Sequence, residues 1–311
     1  MSKIGFVFSG QGSQYIGMGK DLYENFESSR EVFDKASEYI NFDLKGLCFN
    51  GTKEALDITE NTQPAIVAMS LSAYKAISEY DVYPDFVAGL SLGEYSALTV
   101  SGAFSLEDVI PLVRKRGKFM QEAVPTGVGT MVAVLKASQE EVSRACNEAS
   151  SEGIIEIANY NCPGQIVIGG ENSAVDKAVE ILKVNGARVI PLAVSAPFHT
   201  SMLKPAAIKL KKEMDIIEIG EIKIPIVANV NARIILDSSK VKDLLYNQVM
   251  KSVLWEQSVR LMIDKGVTEF IEIGPGKTLS GLIKKINKEV NVYNVENMTT
   301  LENTVSKLKT L

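Results

Sequence analysis

One short stretch constrains this chain more than any other. The apolar run Phe86-Val87-Ala88 ends in Gly89-Leu90-Ser91-Leu92-Gly93, and the helix-compatible segment Glu94-Tyr95-Ser96-Ala97-Leu98 follows. Gly-x-Ser-x-Gly between a strand pattern and a helix pattern is the signature of a nucleophile elbow, with Ser91 at its apex. The glycines have a mechanical reason. The serine sits on a strained turn, and neighbouring backbone comes so close that side chains at Gly89 and Gly93 would clash. The turn exposes the hydroxyl and sets Ser91 and Leu92 at the start of a helix, where free N–H groups and the helix dipole favour a developing oxyanion. The bare pattern also occurs as a plain structural turn; its strand-to-helix context favours the nucleophile.

An elbow needs a sheet to stand on. The 311 residues are enough for one large domain with a second, smaller one. A hydrophobic content of 46% and a charged content of 23% are ordinary for a globular protein. The formal net charge of −5 gives no overall attraction to nucleic acid or an anionic membrane. No apolar run approaches a membrane span, and the opening Met-Ser-Lys-Ile-Gly lacks the pattern of a secretory leader, so the expected location is cytoplasmic. Cys48, Cys146 and Cys162 are scattered and odd in number, which predicts free thiols rather than a disulfide framework. The single histidine, His199, is more telling. It excludes a histidine-rich metal site, and any imidazole that activates Ser91 must be this one.

Taken in order, Ile4 to Phe8 reads as a buried strand, followed by Ser9-Gly10-Gln11-Gly12-Ser13-Gln14 and a helical pattern from about Tyr15. The dinucleotide pattern Gly-x-Gly-x-x-Gly fails, because Tyr15 stands at the third glycine. The loop either brings backbone N–H groups to a reacting centre or is a simple tight turn. Thr62-Gln63-Pro64 is expected to open an amphipathic helix running to about Tyr80. Ser105-Leu106-Glu107-Asp108 resembles a capping box, and its helix carries Arg114, Lys115 and Arg116, with a kink expected at Pro111.

From Val124 the pattern changes to strand (Met131 to Leu135), helix (Ser138 to Ser151) and strand (Ile154 to Asn159). After a Pro163-Gly164 turn come strand (Gln165 to Ile168), helix (Ser173 to Asn185) and strand (Ala187 to Leu192). The order βαββαβ is the ferredoxin-like unit, of a size to be inserted into a larger α/β domain. The chain is expected to return near Ser195, ahead of His199. A lysine-rich helix (Lys204, Lys209, Lys211, Lys212), a strand from Ile224 to Asn229, and a helix with Tyr246-Asn247-Gln248 leading to Trp255 come next. Val267 to Ile273 is a strand pattern ending in Gly274-Pro275-Gly276-Lys277-Thr278; Ile271 stands at the first glycine of a P-loop, which rejects that reading. The tail from Asn287 reads as a strand and a helix.

A serine elbow, one distant histidine and a glycine-rich first loop together suggest acyl transfer through an acyl-serine. No acidic residue is marked out to hold the imidazole, which leaves either a backbone carbonyl or an acid hidden from local spacing. A serine thioesterase or esterase with the same dyad competes with this reading.

Six motifs then occur in one order: Gly10-Gln11-Gly12-Ser13-Gln14, Thr62-Gln63-Pro64-Ala65, Gly89-Leu90-Ser91-Leu92-Gly93-Glu94-Tyr95, Arg116-Gly117-Lys118-Phe119-Met120-Gln121, Asn159-Tyr160-Asn161-Cys162-Pro163-Gly164-Gln165 and Glu272-Ile273-Gly274-Pro275-Gly276. Over nearly its whole length the chain resembles the malonyl-CoA:acyl-carrier-protein transacylase family. The resemblance implies an α/β fold, with an α/β-hydrolase-like core built on a central parallel sheet (1–124 and 197–311) and an inserted ferredoxin-like subdomain (125–196). It implies malonyl transfer from malonyl-CoA, a substrate rather than a cofactor, to acyl carrier protein for fatty-acid synthesis, with no metal. It further implies Ser91 as nucleophile, His199 as base, and the N–H groups of Gln11 and Leu92 as oxyanion hole. Arg116 would pair with the malonyl carboxylate, and Gln248 would orient His199 through its carbonyl. Leu90 departs from the usual histidine and Ser9 from a frequent proline. Leu90 also resembles discrete acyltransferases that serve polyketide synthases in trans, so the alternative carrier is a polyketide one. For docking an acidic carrier, Lys204, Lys209, Lys211 and Lys212 are candidates, with Lys284 and Lys285 second; a plain solvated helix face is the competing reading.

Overall fold

Strand β1 (Lys3–Phe8) is buried from Gly5 onward, as an apolar run must be when both faces of its sheet are covered. It lies beside β2 (Phe86–Gly89), the elbow strand. The computed structural model describes residues 2–125, 127–192, 194 and 196–309; Ser195, where the return of the chain was expected, lies outside them.

Seven further strands of interest follow in the chain: β3 (Gly129–Leu135), β4 (Ile155–Cys162), β5 (Gln165–Glu171), β6 (Arg188–Pro191), β7 (Ile226–Val227), β8 (Ile234–Ile235) and β9 (Val253–Leu254). The last two are β10 (Val267–Ile273) and β11 (Asn291–Val295). One six-stranded sheet has the order β11-β10-β1-β2-β7-β8. Its pairings are parallel except for the short β7–β8 ladder. A five-stranded sheet has the order β6-β3-β5-β4-β9. Its first four strands are antiparallel, and β9 joins parallel to β4 through Asn159↔Val253 and Tyr160↔Leu254. The fold is therefore mixed α/β with two sheets. Cys48, Cys146 and Cys162 are free and buried.

Helices cover the six-stranded sheet. The Thr59–Ser78 helix packs against the Glu27–Tyr39 and Leu106–Glu122 helices, and all three share one large apolar cluster with Phe6 and Phe8. A second cluster joins Val7, Ala88 and Phe270 to Trp255, Val259 and Ile283.

Some expectations need correction. The helix expected at Thr62 begins at Thr59, which places Pro64 inside it, and its buried residues run unbroken from Thr62 to Ala73. It is a central helix rather than an amphipathic one. The first helix after β1 starts at Lys20, not Tyr15, because Gly17 and Gly19 adopt positive φ and interrupt any earlier turn. The Leu106–Glu122 helix runs through Pro111; Ser105 caps it by accepting from the Asp108 N–H, while Asp108 accepts from the Ser105 hydroxyl rather than from backbone. The strand expected over Ile224 to Asn229 holds its ladder only at Ile226–Val227. Among the described residues no helix is long and apolar enough to cross a membrane.

Candidate active site

The site lies at the carboxyl edge of the parallel sheet, where loops from adjacent strands meet. Phe8 pairs with Gly89, and the Leu90 N–H donates to Phe8 O at 3.2 Å, so the Ser9-Gly10-Gln11 loop and the elbow leave side by side. A Cβ on Gly89 would fall 1.9 Å from the Gly93 carbonyl carbon, and one on Gly93 would fall 2.1 Å from Phe8 O. Ser91 has φ 51°, a left-handed conformation costing about 1–2 kcal/mol for an L-residue. Asn229 holds it there. Its Oδ1 accepts from Ser91 N at 2.7 Å and its Nδ2 donates to Gly89 O at 2.7 Å, bracketing the apex.

His199, itself at φ 61°, reaches Ser91 from a distant segment: Nε2 is 2.7 Å from Ser91 Oγ. Its Nδ1 is 2.7 Å from the main-chain oxygen of Gln248. A carbonyl only accepts, so Nδ1 carries the hydrogen and the Nε2 lone pair faces the serine hydroxyl. Burial, reinforced by the Arg116 charge, pulls the imidazole down to about 4. The ring is therefore neutral and able to take a proton near pH 7.

Arg116 extends from the Leu106–Glu122 helix into the same point and is only 1% exposed. Nη1 donates to Gln63 Oε1 at 2.9 Å, while Nη2 donates to Gln248 Oε1 at 3.1 Å and to Ser91 Oγ at 3.3 Å. Among the described residues it has no ion-pair partner, and its Nε has no hydrogen-bond acceptor. A buried guanidinium with no carboxylate in direct contact is costly, which suits a site that receives one. Tyr95 packs beneath, its ring centroid 5.2 Å from the guanidinium carbon. Gln248 also donates from Nε2 to Ser91 O at 2.7 Å and to Glu94 Oε2 at 2.8 Å.

The residues named from the sequence thus converge. Ser91, His199, Arg116 and Gln248 touch one another; among the described residues, the Gln11 and Leu92 N–H groups have no internal acceptor. The Gly93–Ser101 helix begins just past Leu92, as the elbow requires. Leu90 is half-buried, with Cδ2 packed 3.6 Å from the Cβ position of Gly10. A cavity of about 600 Å³ opens beside His199, lined by Glu156, Tyr160, Met250, Lys251 and Leu254 among others. Two of the four lysines of the Lys204–Asp215 helix already have acidic partners: Lys209 pairs with Glu122 of the Leu106–Glu122 helix at 3.0 Å and Lys211 with Asp215 at 3.3 Å. Lys284 is spent on Val290 O at 2.6 Å, and Lys285 lies 3.4 Å from Gln165 Oε1. Sequence reasoning did not single out Asn229, Glu94 or the side chain of Gln63. Glu94 and Gln63 stand inside quoted motifs, but nothing local marks them as contacts of Ser91 or Arg116.

Comparison with known proteins agrees with this geometry. Residues 5–307 match the family described as acyl transferase domain. A malonyl CoA-acyl carrier protein transacylase of Bacillus subtilis is 46% identical over 311 residues, covering 99% of this chain and 98% of that protein. The crystal structure of a malonyl CoA-acyl carrier protein transacylase from Clostridium perfringens superposes with a TM-score of 0.97 at 50% identity, covering 99% of this chain and 98% of the other. A malonyl-transacylase solved in complex with its type II polyketide acyl-carrier protein superposes with a TM-score of 0.96 at 39% identity, covering 98% of this chain and all of the other. With a strand–elbow–helix serine, a histidine poised on it and a match along almost its whole length, the chain belongs to the acyl transferase domain family.

Proposed function

We propose that the protein transfers the malonyl group from malonyl-CoA to the phosphopantetheine thiol of an acyl carrier protein, through a malonyl ester on Ser91, for fatty-acid synthesis. Ser91 Oγ attacks the thioester carbonyl while His199 Nε2 takes its proton. The Gln11 and Leu92 N–H groups receive the oxyanion, and the intermediate collapses as His199 returns the proton to the departing CoA sulfur. In the second half the carrier thiol gives its proton to His199 and attacks the ester, and Ser91 leaves with that proton. Gln248 orients the imidazole through its carbonyl, and Arg116 pairs with the acyl carboxylate.

The observation carrying this reading is the convergence on one oxygen. Ser91 Oγ lies 2.7 Å from His199 Nε2 and 3.3 Å from the Nη2 of a buried arginine without an ion pair. A simple esterase has no use for that cation; a dicarboxylic acyl group does. The kinship with a transacylase from Bacillus subtilis supports the same substrates.

For the architecture, we read residues 125–196 as a ferredoxin-like subdomain inserted in an α/β-hydrolase-like core of 1–124 and 197–311. The order β6-β3-β5-β4, antiparallel throughout, supports this.

Intact-mass analysis after mixing with malonyl-CoA tests the function. The expected result is one malonyl adduct, lost on adding acyl carrier protein and absent from Ser91→Ala. An adduct on the alanine variant would refute the assignment.

A further inference from the structure

Arg116 has no anion of its own, and the shortest polar path from it to one runs through a single amide. Gln248 Oε1 accepts from Arg116 Nη2 at 3.1 Å, and Gln248 Nε2 donates to Glu94 Oε2 at 2.8 Å. Glu94 is 2% exposed. Its two oxygens also share the Asn229 N–H, each at 3.4 Å. It also lines a small, otherwise apolar cavity with Leu98 on its own helix, Ile226 and Ala228 from the β7 segment, Ile235 from β8, and Val241 and Leu245 from the Val241–Met250 helix. The charged and titratable groups that face it are few. Arg116 attracts it, Tyr95 on its own helix is pushed up to about 12 by burial, and His199 is reached only through Gln248.

This arrangement permits one orientation of the Gln248 amide. Both N–H bonds of Nε2 are committed, to Ser91 O and to Glu94, and Oε1 faces the guanidinium. Flipping the amide would set N–H groups against Arg116 and an oxygen against both Ser91 O and the carboxylate, three repulsions at a buried place. An anionic acceptor at position 94 therefore keeps Gln248 aligned between Arg116 and the elbow.

We propose that Glu94 is a positioning residue of the acyl-transfer site: it serves as the resident counter-charge of Arg116, and it takes up a proton when an acyl carboxylate occupies that arginine. This rests on the proposed pairing of Arg116 with the malonyl group. With the arginine free and Glu94 ionised, as it is mainly above about pH 7, the two together are neutral. A malonyl carboxylate would leave two anions and one cation in a dry pocket, and binding a proton from solvent at Glu94 restores the balance. Burial already pushes Glu94 up to about 7, against the hydrogen bonds of Gln248 and Asn229 and the attraction of Arg116. Pairing of Arg116 with a substrate anion weakens that attraction and raises the group further. An acetyl group brings no carboxylate and leaves Glu94 unchanged.

The sign follows from linkage. A group whose proton affinity rises on malonylation favours the malonyl-enzyme at low pH, and the advantage fades as pH climbs above about 7. If the carboxylate makes Glu94 bind its proton ten times more tightly, the preference falls about sixfold between about pH 6.5 and about pH 8.5. The two other titratable groups beside Arg116 lie outside this window: burial pulls His199 down to about 4 and pushes Tyr95 up to about 12.

The test measures, by quenched intact mass, the equilibrium between enzyme and acyl-CoA on one side and acyl-Ser91 and CoA on the other. It is done with malonyl-CoA and with acetyl-CoA across that range. Dividing the malonyl constant by the acetyl constant cancels the CoA thiol and the shared chemistry. The ratio should fall severalfold with rising pH in the wild type and stay flat in Glu94→Gln. A malonyl adduct that forms on Ser91 with a flat wild-type ratio overturns the role of Glu94 and leaves the transfer reaction standing. A ratio that still falls in Glu94→Gln assigns the proton elsewhere and overturns it equally. No malonyl adduct at all removes the substrate reading on which it rests. The wild-type curve decides by itself if the variant does not fold.

Discussion

The Nδ1 of His199 lies 2.7 Å from the main-chain oxygen of Gln248, so a backbone carbonyl stands where a hydrolase triad places a carboxylate. A carbonyl fixes tautomer and orientation as a carboxylate does, but it offers no full negative charge to stabilise an imidazolium. Burial and the nearby Arg116 act unopposed by an acid, and the ring falls to about 4. The neutral ring is the base, so activity persists as pH drops through the ordinary histidine range and disappears only near pH 4. Labelling of Ser91 by a neutral serine-directed sulfonyl fluoride reads this without involving the acyl carboxylate. The fold is checked by circular dichroism at each pH. An acid limb near the unperturbed value of about 6.5 would show a hydrated ring and contradict the buried dyad.

Arg116 makes a sharper substrate prediction. Its planar fork can hold a carboxylate by charge-assisted hydrogen bonds worth roughly 1.5–3 kcal/mol each. Taking about 3 kcal/mol in total, Arg116→Ala should slow malonyl transfer on the order of a hundredfold. The alanine also strips donors from the Gln63 and Gln248 carbonyl oxygens, so the melting temperature should drop too. The ratio of malonyl to acetyl transfer separates the two effects. Acetyl transfer should be kept or improved, and Arg116→Lys should recover part of the malonyl rate. Equal losses on both substrates would reduce Arg116 to a structural residue.

The elbow could be read in advance because its steric demands are local. Gly89 and Gly93 answer to each other and to Phe8 O across one turn, and no distant residue is needed to see why. Strand β10 was legible from its β-formers Val267, Thr268, Phe270, Ile271 and Ile273, although it also carries the buried Glu269 and Glu272, and its bounds match the expectation from Val267 to Ile273. Pro64 misled because it was read as a first-turn residue; the helix starts at Thr59 and carries the proline in its second turn, without the N–H that would have reached Glu60 O. Asn229 and Glu94 were not legible at all. Each matters only because the elbow segment 91–94 and positions 116, 229 and 248, far apart in the chain, are folded onto one point. A lone asparagine or glutamate carries no local signal of that meeting.

The lysine-rich helix yields a narrower prediction than its composition suggested. Lys209 and Lys211 already have acidic partners, and exposed pairs of that kind contribute about 0–1 kcal/mol each. Lys204 and Lys212 are exposed on the same helix and are the better candidates to meet an acidic carrier. Reversing both to glutamate should slow the carrier-dependent step severalfold and flatten its salt dependence, with malonylation of Ser91 by malonyl-CoA intact. A carrier step that is unchanged in rate and salt response places the docking surface elsewhere.

Asn229 supports the serine from a distance of 138 residues in sequence, and its chemistry makes the support testable. Its amide accepts from Ser91 N and donates to Gly89 O, a pair of tasks that needs one oxygen and one N–H on the same side chain. Asn229→Ala leaves both backbone groups unpaired in a nearly dry place, costing about 1–3 kcal/mol and a few degrees of melting temperature. It also lets Ser91 relax from its left-handed conformation, so malonylation should slow by about tenfold or more. Asn229→Asp is the more informative variant. Ionised, its second oxygen would oppose Gly89 O, and the elbow should be worse than with alanine. Protonated, it recovers a donor toward Gly89 O and resembles asparagine. Burial raises the pKa of such a carboxyl, so the rescue should grow as pH falls from about 8 toward about 6. The readout is the rate of Ser91 labelling in wild type, alanine and aspartate variants over that range. Because aspartate keeps the acceptor for Ser91 N, an aspartate variant that matches alanine at every pH would mean that neither contact of Asn229 holds the elbow.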